Sequence, residues 1–205
     1  MRYFILSSLL FLCCSCSSVY KELKSTKDTT CDLQKFKPTY GSALYIASID
    51  ILNKHFSGLL FIKKLPDSTI RTIFTSETGI TFFDFSFTPS GNFIVNSIIR
   101  NMDQKAVIET LRKDFELVIM NKLQLPYNMS YQYKLQNYYL FQQGQDNIYM
   151  VTDSLCNSLI RLELASKRNP KVEVALLEYI NGIPTIITII HKSFKFTIAL
   201  RQINN

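Results

Sequence analysis

The chain has 205 residues, 47% of them hydrophobic, with 15 Phe and 11 Tyr but no Trp, six Gly and six Pro. That is enough apolar material for one sizeable core, and it excludes a collagen-like or low-complexity chain. The net charge is +7, yet Lys and Arg are scattered; with no arginine-rich arm, zinc-finger spacing or aromatic RNA-binding signature, nucleic acid is not expected as a partner.

The first element is a leader. Met1-Arg2 is basic, and Tyr3 to Leu12 is almost wholly apolar. Such a run is too short for a membrane span, which needs ~20 apolar residues, and has the length of a signal-peptide core. Cys13-Cys14-Ser15-Cys16-Ser17-Ser18 follows, and then a polar stretch with Lys21, Glu22, Lys24, Lys27 and Asp28. This resembles the lipobox of bacterial lipoproteins, in which a small residue precedes the cysteine that is acylated before cleavage. Cys13 has the bulky Leu12 before it and Cys14 has Cys13. Cys16 has Ser15 and is the favoured site, although Cys13 stands three positions before it where the family usually has Leu. An ordinary signal peptide or an uncleaved anchor is the competing reading.

The resemblance implies a signal peptide over 1–15 and a lipidated N-terminus with a flexible tether over 16–42. Several acyl chains give a firm anchor where one gives only a marginal one. Ser17, not Asp, follows the cysteine, which for such lipoproteins implies the outer membrane, and the lack of an acidic cluster just after it implies the periplasmic face. In that oxidising compartment Cys31 and Cys156 are candidates for a disulfide; the alternative is an inert buried Cys156 and a loose Cys31. No metal site is expected, since two thiols and two distant histidines show no ligand spacing.

The body, 43–205, reads as short β-type runs over 43–52, 54–64, 69–76, 79–87 and 93–99. A helix is expected from an Asp103 cap to about Met120, with Ile108, Leu111, Phe115, Val118 and Ile119 on one stripe. Further runs cover 131–136, 138–142, 147–152, 158–164, 172–179, 185–191 and 194–202, with Asn181-Gly182 as a hairpin signal. Twelve runs at about ten-residue spacing predict an antiparallel meander, sandwich or barrel. Leu59 to Ile62 are apolar on both strand faces, which requires cover on each side; a strongly curved sheet around the helix would supply one cover.

Together, the lipidated start, a body of about 160 residues, a dozen antiparallel strands and one helical break resemble the periplasmic carriers and outer-membrane receptors of the LolA/LolB kind. The stretch from His55 to Lys64, Ser68 to Phe74, and Gly79 to Asp84 are similar to that family's early strands. The resemblance implies a mainly β, incomplete barrel of about 11–12 strands with a helix closing its open side. It also implies an apolar cavity for lipid or lipoprotein acyl chains, lined and lidded by Leu60, Ile62, Phe83, Phe85, Ile108, Leu111, Phe115, Phe196 and Ile198. Leu65, before Pro66-Asp67, stands where the receptor has a loop with an exposed leucine that meets membrane or cargo. A periplasmic carrier protein would be a partner.

No nucleophile elbow, phosphate loop, dinucleotide fingerprint or H-E-x-x-H is present. Asp84, among phenylalanines, is expected to pair with Arg71 or Lys63, and His55 and His191 to be surface or hydrogen-bonded groups. An enzyme is not expected, and no cofactor is implied. The competing reading is a structural or interaction lipoprotein whose barrel is filled by its own side chains.

Overall fold

A computed structural model of the chain describes residues 19–26, 31–51, 53–121, 123, 126–166 and 169–203. Cys16 and its two rivals lie outside the described residues. Among the described residues, thirteen strands form one antiparallel sheet: β1 (Lys24–Thr26), β2 (Ser42–Ile51), β3 (Lys54–Lys64), β4 (Ile70–Thr75), β5 (Thr81–Phe87), β6 (Phe93–Ile98), β7 (Met129–Tyr133), β8 (Gln136–Gln143), β9 (Asp146–Asp153), β10 (Leu159–Ala165), β11 (Pro170–Ile180), β12 (Ile183–His191) and β13 (Phe196–Gln202). Their spatial order is β1-β7-β8-β9-β10-β11-β12-β13-β2-β3-β4-β5-β6. Two hairpin meanders are thus joined where the last strand pairs the first strand of the body, Phe196 opposite Ile51 and Gln202 opposite Tyr45. A sheet this wide curls, because every strand adds right-handed twist. It does not close: β1 and β6 remain its edges.

The one α-helix among the described residues, α1 (Lys105–Ile119), connects β6 to β7 and so links opposite flanks of the sheet. Its cap is Gln104, not Asp103, and it ends at Met120 in the left-handed region. Leu111, Phe115, Leu117, Val118 and Ile119 are buried in the same cluster as the inward residues of the strands. Phe115 meets Phe83 edge-on at 5.6 Å between ring centres. The alternation of β5 puts Phe83, Phe85 and Phe87 on this concave side. Its other side carries Asp84 and Ser86, which with Arg71 and Asn96 form a polar network: Arg71 Nε donates to Asp84 Oδ1 at 2.9 Å, and Asn96 Nδ2 to Asp84 Oδ1 at 3.0 Å and Ser86 Oγ at 2.7 Å. Burial pushes the Asp84 carboxyl up, but the bonds from Arg71 and Asn96 outweigh it and hold it below the usual range.

The stretch read as a flexible tether has structure of its own. Leu33, Phe36 and Tyr40 are buried in the main core, and a disulfide joins Cys31 to Cys156 with Cα atoms 5.6 Å apart. Lys24–Thr26 adds an edge strand to β7. Tyr20 stacks on Tyr149 at 4.6 Å and donates to Glu163 at 2.5 Å. This segment covers Tyr138, Leu140, Tyr149 and Val151 on the convex side, which is why β8 to β10 are buried on both faces.

Candidate functional site

The residues expected to line a cavity do converge. Leu60 and Ile62 of β3, Phe83 and Phe85 of β5, Phe196 and Ile198 of β13, and Leu111 and Phe115 of α1 belong to one cluster on the concave side. They are sealed there, none more than 2% exposed, so the middle of the concavity is packed with the protein's own side chains. Ile108 is half-buried and stands outside that cluster. Leu65 is also half-buried. Its N–H donates to Thr69 O at 2.8 Å and its carbonyl accepts from Ser68 N at 2.9 Å, which makes a tight turn, not a protruding finger.

Open space lies at the rim. One cavity of about 640 Å³ is walled by the Pro38–Gly41 segment, the β3–β4 and β5–β6 turns and the end of α1. Its apolar surface includes Pro38, Tyr40, Ile70 and Ile119, and its cations are Lys37 and Lys64. Tyr40 and Ile119 are also members of the core cluster, so the cavity floor is continuous with the concave interior. Burial keeps the Tyr40 hydroxyl neutral well above the ordinary tyrosine range. A buried oxygen of Asn121, on the same wall, has no hydrogen-bond partner. This volume falls in the range of small-molecule sites. Nothing in the sequence singles out Lys37, Tyr40 and Lys64, because turn and linker residues far apart in the chain carry no periodic signal.

A second cavity of about 430 Å³ flanks α1 beside the β8–β9 turn. Its walls are ionic: Arg112 pairs with Glu116 at 3.0 Å and Glu109 at 3.3 Å, and Lys113 with Asp146 at 2.8 Å. Satisfied ion pairs suit a solvated surface better than an acyl chain. Among the described residues, no group of three or more His, Cys, Asp and Glu side chains is arranged to hold a metal. No described helix is long and apolar enough to cross a membrane.

No family model and no curated protein matches the chain. Among solved structures it is similar to an "outer membrane lipoprotein-sorting protein domain from Vibrio parahaemolyticus", at 6% sequence identity and a TM-score of 0.48, over 83% of this chain and 87% of that one.

Proposed function

We propose that this protein is an envelope lipoprotein, anchored through Cys16, that takes part of an acyl chain with an anionic head into the rim cavity. The observation that carries the reading is the cavity itself: about 640 Å³, with a floor of Tyr40 and Ile119 running into the apolar interior and with Lys37 and Lys64 at its walls. Each methylene buried there gains ~0.8 kcal/mol, so about ten of them give roughly 8 kcal/mol before ordering costs. The lysines would hold a carboxylate or phosphate at the mouth. Deeper entry requires α1 to lift from the sheet, so the sealed interior would be the unloaded state. Receipt of lipoproteins from a periplasmic carrier, at the outer membrane, is the physiological role consistent with such a site.

A second reading is favoured by the packed interior: a non-catalytic scaffold that presents its surface to an envelope complex. Two measurements separate them. Native mass spectrometry of the purified protein should show co-purified lipid, and palmitate should displace a fluorescent fatty acid from it. Lys37→Glu with Lys64→Glu, both at exposed positions, should weaken that displacement several-fold without changing thermal unfolding. Absence of both lipid and fatty-acid binding leaves the scaffold.

A further inference from the structure

Turn tips in water favour Gly, Asn, Asp, Ser and Pro, whose side chains are small or hydrogen-bond their own backbone. Two tips of this sheet break that rule. Leu135, at the β7–β8 tip, and Leu155, at the β9–β10 tip, are each 77% exposed, the most exposed large apolar side chains among the described residues. Gln136 opposes Asp153 in the β8–β9 ladder, so the two tips are neighbours at one end of the sheet. The next hairpin at that end, β11–β12, ends on Ile180, itself 50% exposed beside the Asn181-Gly182 turn. The β3–β4 and β5–β6 turns, where the rim cavity opens, lie at the same end because all the pairings are antiparallel.

Charges of both signs face water at this end, with lysines the more numerous. Asp32 accepts from Gln34 N, Asp67 from Thr69 N, and Asp153 from Leu155 N and Asn157 N, which holds three carboxylates close to the backbone, and Glu178 is exposed before Ile180. Lys35, Lys37, Lys63, Lys64 and Lys134 are exposed around them. Aliphatic tips set among outward lysines complement an anionic bilayer surface, whose acyl region takes the leucines and whose headgroups take the ammonium groups. The anchor permits the contact. Tyr20 is docked on Tyr149 of β9, four residues from the end of that strand, about 13 Å along it. Cys16 is only four residues from Tyr20, a reach of at most ~14 Å.

We infer that this end of the sheet is a membrane-docking surface, with Leu135 and Leu155 entering the bilayer and the rim cavity opening toward it. The inference rests on the proposed lipid anchor but not on acyl-chain binding in the cavity.

The chain contains no Trp, so single reporters are clean. Leu135→Trp, Leu155→Trp and, at the opposite end, Ile80→Trp (Ile80 is 59% exposed) are placed in the mature acylated protein. Each is bound to vesicles of phosphatidylethanolamine and phosphatidylglycerol with brominated acyl chains. The expected result is a blue shift and loss of emission at positions 135 and 155, with position 80 unchanged. Quenching equal at position 80, or none at 135 and 155, overturns the inference. Quenching at the tips of a protein that carries no lipid in its cavity removes the proposed ligand site and leaves the docking surface standing.

Discussion

Asp114, on the inward side of α1, holds both carboxyl oxygens 3.0 Å from His191 Nε2, in hydrogen-bond contact. The pair is a polar tie between the helix and β12 inside a largely apolar interface: Asp114 is fully buried, and the His191 ring packs against Phe194 at 4.8 Å and Phe196 at 4.7 Å. Removing one member strands the other without water, so Asp114→Ala is expected to lower unfolding free energy by about 3 kcal/mol. Burial raises the Asp114 carboxyl above its usual range, opposed by the bond from His191. The folded state therefore holds that proton more tightly than the unfolded chain, whose aspartates titrate near 3.9. The stabilisation from this group is full below about pH 4 and is lost as pH rises through the folded value. Urea unfolding of wild type and Asp114→Asn should show the wild-type advantage shrinking from about pH 4 toward neutrality; a constant difference would exclude the linkage.

The disulfide closes a loop of 125 residues between Cys31 and Cys156. Constraining a loop of that length removes chain entropy from the unfolded state, worth about 2–5 kcal/mol. Reduction, or Cys31→Ser with Cys156→Ser, is expected to lower stability by that amount. It should also raise amide exchange first in the segment holding Leu33, Phe36 and Tyr40, which that bridge fastens to the β9–β10 tip. Uniform exchange along the chain would argue against a local clamp.

The sheet was legible where the hydrophobic period was strong. Each of the twelve β-type runs corresponds to one of β2 to β13, and the helix lies within two residues of its expected start. Lys24–Thr26 was not legible, because Lys-Ser-Thr has no apolar alternation and pairs only at an edge. Asp114 was missed because a carboxylate within an apolar stripe looks like a surface residue until its partner, 77 residues away, is known. Whether the concave face is filled or hollow was also hidden. Phe83, Phe85, Leu60 and Ile198 would line a pocket or pack a core with the same alternation, and only their mutual contacts decide. The rim cavity draws on four separate segments, so no local pattern in the sequence announces it.

Gly58 lies in β3 where β4 ends. A Cβ built there would stand 2.0 Å from the carbonyl oxygen of Thr75 and 3.0 Å from Cα of Ser76, both backbone atoms that no rotamer change can move aside. The ladder on either side of this approach is regular, with Ala47 opposite Gly58 in β2 and Thr75 opposite Leu59 in β4. Accommodating even a methyl group therefore means separating β3 from β4 at that end, and those strands carry Leu60 and Phe74 into the core. Gly58→Ala is expected to cost about 1–3 kcal/mol by overpacking. Gly41 meets nothing within 4 Å at its Cβ position and has no left-handed backbone, so Gly41→Ala should be near neutral or slightly stabilising through the unfolded state. Thermal unfolding of the two variants side by side checks the contrast; equal midpoints would show that the β3–β4 approach relaxes without loss.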